Sequence, residues 1–240
     1  MAPQGKTTLG LLELDEGLSA DSSVLAPREG ALSNPSTFGV SIITEMVEGA
    51  YADVVIRGDS SLETASIAAA QRLAARGASA IAGDCGFLIR HQAAIAAAVN
   101  VPVVTSSLLL VPALLRQLAP ASKLAVITAD SQHCSHDLFS LENPADKARV
   151  IVGGIEGGEY IRNTLARPFI RTDVNQIERE VGDCIARLRT DHPEIAALVF
   201  ECTGFPVVTS AIRRTTGLPI YDITDLCRMT LSVVTSRTSA

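Results

Sequence analysis

Residues 79–86 read SAIAGDCG, and residues 196–204 read AALVFECTG. In each stretch a short run of small and apolar residues ends in an acid, a cysteine and a small residue, and a helical pattern follows. Apolar runs of this length bounded by turn residues read as fully buried strands. The two stretches stand about half a chain apart, so the sequence reads as two similar α/β lobes facing one another across a cleft.

The alternation of strand and helix continues outward from both. TTLGLLEL (7–14) is a first buried strand. The polar segment that follows is longer than the ~12–15 residues at which structureless loops become uncommon, which marks it as a functional loop. SIITEMVEG reads as an extended excursion and ADVVIRG (52–58) as a second core strand. SSLETASIAAAQRLAARG is a helix: Ser60 and Glu63 have capping-box spacing, Leu62, Ala65, Ala69 and Leu73 form an apolar stripe, and Gly77 is placed to stop it. A helix from about Phe87 to Asn100, the strand VPVVTSS, a helix near 109–118 and the strand KLAVITAD (123–130) complete the first half. The second half reads RVIVGGI (strand), DVNQIEREVGDCIARLRTDH (helix, with Val174, Ile177, Val181, Cys184 and Leu188 on one face), AALVFECTG (strand), PVVTSAIRRTTG (helix), LPIYDI (strand) and LCRMTLSVV (helix). Strands separated by helices imply βαβ units and parallel sheets, which bind ligands at the carboxyl ends of their strands.

The 240 residues are 47% hydrophobic and 4% aromatic, with no Trp, so aliphatic side chains and Ala fill the interior. A net charge of −6 disfavours binding to a phosphate backbone, which needs a basic face. No apolar run reaches the ~18–20 residues of a membrane span, and the longest, VPVVTSSLLLVPALL, is broken by Pro102 and Pro112. The stretch MAPQGKTTLGLLELDEG has none of the regions of a signal peptide. Five cysteines without CxxC spacing point to free thiols and a cytoplasmic location.

Cys85 stands past a strand end and beside a helix start, where free N–H groups and the helix dipole lower a thiol's pKa. Gly86 lets the backbone approach a ligand. Cys202 has the same placement, and Thr203 and Gly204 can donate to an anion. A free cysteine is also a common small buried residue, but two in matched positions point to chemistry. A racemase without a cofactor needs such a pair: a thiolate removes a proton from one face of a carbon, and a thiol returns one to the other. Backbone N–H groups on a substrate carboxylate would stabilise the developing charge. Nothing resembles a pyridoxal site, and the lysines number three, Lys6, Lys123 and Lys147.

With LGLLELDEG, SNPSTF, MVEGA, GDCGFL, VPVVTSSLLLVP, LAVITAD, LVFECTGFP and LPIYDI in order, the chain resembles the aspartate/glutamate racemase superfamily over nearly its whole length. That superfamily works without pyridoxal phosphate and includes hydantoin racemases, arylmalonate decarboxylase, maleate isomerase and an algal dimethylsulfoniopropionate lyase. The resemblance implies two lobes, each a parallel sheet flanked by helices, related by a pseudo-twofold axis with the active site between them. The lobes are expected at 1–112 and 113–220, with 221–240 returning to the first. It implies Cys85 and Cys202 as the acid/base pair and Gly86, Phe87, Thr203 and Gly204 as carboxylate donors. Ser106 and Thr128 would face the cleft from strand ends, Asn34 and Thr37 would lie in a covering loop, and Asp15 would be a polar group near the substrate. A small carboxylate substrate, no cofactor, no metal and self-association are expected. Gly204 stands where glutamate racemases carry His, which disfavours glutamate, and the presence of Cys85 disfavours simple decarboxylation. The expected activity is racemisation of an amino acid or related carboxylate. The alternatives are a C–S or decarboxylating lyase using the same cysteines, and a ligand binder without catalysis.

Other signals are weaker. GKTT (5–8) lacks the first Gly of a phosphate loop. His133, Cys134, His136 and Asp137 do not have zinc spacing, and a polar helix start is the plainer reading. His91 lies about two turns along from Cys85 and reads as packing, as do Cys184 and Cys227. Arg57 suits a substrate carboxylate or the surface equally. His192 sits at a helix end, where a cation is favourable, and ARPFIR (166–171) reads as a connection between lobes.

Overall fold

The computed structural model describes residues 7–17 and 26–234. Strands β1 (Thr8–Glu13), β2 (Ser41–Met46), β3 (Ala80–Gly83) and β4 (Val103–Val104) form one parallel sheet in the order β2-β1-β3-β4. Strands β5 (Lys123–Thr128), β6 (Val150–Gly154), β7 (Ile195–Phe200) and β8 (Ile220–Tyr221) form a second in the order β6-β5-β7-β8. The second order is the first shifted by four, so the two lobes repeat one topology. Helices α1 (Ala52–Arg57), α2 (Leu62–Ala75), α3 (Gln92–Ala97), α4 (Val111–Gln117), α5 (Pro144–Lys147), α6 (Glu159–Thr164), α7 (Val174–Asp191), α8 (Pro206–Thr216) and α9 (Ile223–Val234) connect and flank the sheets.

Both faces of each sheet are covered, which is why the central strands read as unbroken apolar runs. In β1 the period of two sends Leu9 and Leu11 to one face and Leu12 to the other. Leu9 and Leu11 join Ala80, Ala82 and Val104 under Ile223, Leu226 and Leu231 of α9. Leu12 joins Ile81 and Val103 in the cluster that holds Leu73 of α2. The last helix thus follows β8 of the second sheet yet packs on the first. In the second lobe α7 buries Ile177, Val181, Cys184 and Ile185, the three aliphatic side chains each stabilising the fold by about 1.5–3 kcal/mol if fully removed from water. It sits so close to β6 that a Cβ on Gly153 would stand 2.5 Å from Leu188 Cδ1 and 2.9 Å from Cys184 Sγ.

Several expectations change. Residues 52–57 form α1 rather than a core strand. The place beside β1 belongs to β2, the stretch expected as an excursion. Asp53 and Arg57 pair at helical spacing, and Gly58 ends the helix in the left-handed region at φ 74°. Arg57 is therefore a surface ion-pair partner. The helix expected from Phe87 is a 3-10 turn, Gly86–His91, followed by the short α3. The Ser60–Glu63 capping box does not form. Asp59 instead accepts from the Ser61 N–H at 2.9 Å. Residues 166–171 do not run between lobes in sequence, because they join α6 to α7, but they reach across in space. The Phe169 N–H donates to the Glu16 carbonyl at 3.0 Å. Arg167 pairs with Asp53 and lies 3.8 Å over the Tyr51 ring. No helix among the described residues is long and apolar enough to cross a membrane.

Candidate active site

The two central ladders end in the same way. Past β3 the Asp84 N–H donates to the Leu12 carbonyl at 2.9 Å, and past β7 the Glu201 N–H donates to the Ile127 carbonyl at 2.8 Å. Each bond holds an acid at the carboxyl edge of its sheet and delivers the next residue, Cys85 or Cys202, to the gap between lobes. The turns then cross. Thr203 Oγ1 donates to the Asp84 carbonyl at 2.8 Å, and Ser107 Oγ donates to the Phe200 carbonyl at 2.6 Å. Gly86 lies so close to Glu201 that a Cβ there would collide with its carbonyl and Oε1. Only glycine permits that approach.

Between the turns lies a cavity of about 50 Å³ lined by both cysteines, both acids, Phe87, Tyr160, Thr203 and the apolar side chains of Leu14 and Ile56. It has room for a few waters. Tyr160 Oη is 3.1 Å from Cys202 Sγ, and Gly204 makes room for it, because a Cβ there would collide with the hydroxyl. Tyr160 also packs on Phe205, ring centroids 5.5 Å apart.

The sequence led us to expect lowered thiol pKa values, and the site does the reverse. Burial, then Glu201, push the Cys85 thiol well above its ordinary range against the pull of the Phe87 N–H. Burial and Glu201 raise Cys202 to about 12, opposed by Tyr160 and the Gly204 N–H. Six residues of 3-10 helix after Cys85 do not make up for two buried acids. Asp84 is itself raised to about 8 by burial and by Glu13 and Glu16. Glu201 is raised to about 7 by burial, with a Thr128 hydrogen bond, Asp130 and Arg90 as smaller influences. Burial likewise raises the Tyr160 phenol, and Cys202 adds to it.

The expected residues divide. Cys85, Cys202, Gly86, Phe87 and Thr203 line the cavity, and Gly204 flanks it. Thr128 reaches the site through Glu201 Oε2, to which its hydroxyl donates at 2.7 Å. Ser106 is buried and accepts from the Leu108 N–H at 3.2 Å as a helix cap. The Asp15 carboxylate accepts from the Gly17 N–H at 3.0 Å and does not line the cavity. Nor do Asn34 and Thr37, which organise their own loop: Asn34 Nδ2 donates to the Arg28 carbonyl at 2.9 Å and Thr37 Oγ1 to the Ala31 carbonyl at 2.8 Å. That loop does bridge the lobes, since Arg28 Nη2 donates to the Thr172 carbonyl at 2.5 Å. Part of the expected loop, residues 18–25, lies outside the described residues. Asp84, Glu201 and Tyr160 were missed. The acids stand in the quoted motifs beside each cysteine, whereas nothing local in GGEYIRN marks Tyr160.

The chain has the two-lobed α/β fold of arylmalonate decarboxylase and of aspartate and glutamate racemases. It superimposes on unliganded arylmalonate decarboxylase with a TM-score of 0.56 at 15% identity, over 97% of this chain and 94% of that one. It matches the aspartate racemase of Picrophilus torridus with a TM-score of 0.58 at 12% identity, over 97% and 96% of the two chains. By sequence it is similar to dimethylsulfoniopropionate lyase 3 of Emiliania huxleyi (strain CCMP1516), 27% identical over 234 residues, which is 94% of this chain. The chain spans 59% of that relative's length. No family profile matches the chain.

Proposed function

We propose that the chain is a cofactor-free lyase that removes the proton α to the carboxylate of a small sulfonium substrate, dimethylsulfoniopropionate or a close analogue, and expels the sulfide. The observation that carries this reading is that two strand-end thiols, Cys85 and Cys202, line one cavity. The sequence relatives supply the substrate class. In the reaction the Cys202 thiolate takes the α proton, the C–H pair becomes the C=C bond, and the β C–S bond breaks. Dimethyl sulfide leaves with the electron pair of that bond, acrylate remains, and the thiol returns its proton to water. Cys202 is the base because the Tyr160 hydroxyl beside it can donate to a thiolate, whereas Cys85 has a backbone N–H alone. No acceptor among the described residues takes the N–H of Gly86 or Thr203. Both suit a substrate carboxylate whose charge grows as the proton leaves.

Racemisation is the second reading, favoured by Cys85 on the opposite lobe, from which a proton could return to the other face. One NMR experiment in deuterium oxide separates the two. Elimination yields acrylate, and Cys202→Ser abolishes it while Cys85→Ser lowers it less. Racemisation places deuterium at the α carbon of recovered amino acid, and either substitution abolishes it. Unchanged turnover in Cys202→Ser would refute the thiol mechanism in both forms.

A further inference from the structure

The cavity wall holds a second feature that the proton transfer does not use. Glu201 is 1% exposed. Its Oε2 is taken by Thr128, but Oε1 is buried and has no hydrogen-bond partner. Leaving a buried acceptor unsatisfied costs about 1–3 kcal/mol, and more if it is charged. The first lobe faces this oxygen with Gly86, which has no side chain to fill the space. Asp84, across the gap, has no hydrogen bond to its carboxyl among the described residues. Besides the two thiols, Thr164 and Thr203, the rest of the wall is aromatic, aliphatic or glycine, and no Lys, Arg or His side chain lines it among the described residues. Arg90 is within electrostatic reach of Glu201, but it is held outside the cavity by the His133 carbonyl at 2.8 Å.

We propose that Asp84 and Glu201 form a subsite for a methylated organic cation, a sulfonium or quaternary ammonium group, with Phe87 and Tyr160 as its aromatic walls. Such a group has no N–H or O–H to satisfy. It needs carboxylates, aromatic rings and carbon around it, and the wall carries these; bound there, its charge would draw the protons off both acids. The subsite also accounts for the unreactive thiols. Without a cation, burial and the acids hold both thiols protonated. A positive charge between them offsets the acids and lets a thiolate form, so the base is released when substrate arrives. This rests on the elimination reading in naming the cation as the leaving-group end of the substrate.

The test is a binding comparison by calorimetry with two probes of one shape, 3-(trimethylammonio)propionate and the uncharged-tail analogue 4,4-dimethylpentanoate. The onium probe is expected to bind roughly tenfold or more tightly, and Glu201→Gln and Asp84→Asn each to reduce that preference severalfold. Equal binding of the two probes, failure of the onium probe to bind, or an undiminished preference in both variants would overturn the subsite. If one variant does not fold, the wild-type comparison and the other variant still decide. Onium preference without sulfide release would refute the elimination and keep the subsite. Sulfide release without onium preference would do the opposite.

Discussion

Replacing Tyr160 with Phe removes a single hydroxyl and leaves the ring on Phe205. That hydroxyl lies 3.1 Å from Cys202 Sγ. A hydrogen bond to a charged partner contributes about 1.5–3 kcal/mol, and one pKa unit corresponds to about 1.36 kcal/mol. Losing the bond therefore raises the Cys202 pKa by about one to two units. At any pH below that pKa the thiolate fraction falls about 10–100-fold, and kcat/KM falls with it. Cys85 lacks this partner, so its ionisation stays in place. Gly204→Ala gives an independent route to the same state, because the added Cβ occupies the space of the hydroxyl. The assay is the rate of iodoacetamide alkylation at each cysteine against pH, read by peptide mass spectrometry. If the Cys202 profile of Tyr160→Phe overlays the wild type, or Cys85 shifts as far as Cys202, the hydroxyl does not stabilise the thiolate and the assignment of the base fails.

Two further outcomes follow from the charges. Native Glu201 keeps its proton up to about pH 7, whereas an unfolded Glu loses it near 4.5. Between those values the native state binds more protons, so stability falls as pH rises and levels off above 7, a loss on the order of 3 kcal/mol. Asp84 acts in the same direction up to about 8. Glu201→Gln, which still accepts from Thr128 and still faces Cys85, Cys202, Asp130 and Arg90, should therefore be more stable than wild type at pH 8 and not at pH 4 by urea denaturation. An equal difference at both pH values would refute this. The Arg167–Asp53 pair is largely exposed, so Arg167→Ala should cost at most about 1 kcal/mol. It should nevertheless speed alkylation of Cys85 and Cys202 several-fold, because the segment it anchors ties the second lobe to α1 at the cavity's edge. Unchanged alkylation rates would mean that this contact does not limit opening.

Much of the fold is legible because buried parallel strands leave continuous apolar runs, and β1, β3, β5 and β7 all do. Residues 52–57 misled for a related reason: Val54, Val55 and Ile56 are β-branched, but they stand on a helix that buries Val55 and Ile56, and the decisive signals were the Asp53–Arg57 spacing and Gly58. The cysteines were legible because they recur at matched junctions. Their ionisation was not, since it depends on how deeply the turns are buried and on Glu201 of the other lobe beside Cys85. Asn34 and Thr37 look like site residues by type, yet their polar groups are consumed within their own loop. Tyr160 reaches Cys202 only after α6 has packed against the β7 turn, a contact 42 positions apart in sequence.

The repeat also explains why symmetry of fold need not give symmetry of chemistry. A racemase needs both sulfurs to ionise in turn, since each is the base in one direction. Here the repeated frame delivers Asp84-Cys85-Gly86 and Glu201-Cys202-Thr203 to one cavity, but the surroundings differ. Cys202 has a phenol within hydrogen-bond distance, while Cys85 has a backbone donor and Glu201 beside it. Burial and Glu201 raise both thiols, and only at Cys202 does a phenol oppose the rise. An elimination needs one base and a leaving group, not two interchangeable acids, and tolerates this inequality. In a racemisation the same inequality would leave one of the two required protonation states of the enzyme scarce. The difference between the sulfurs, more than the presence of two, is what favours the lyase reading.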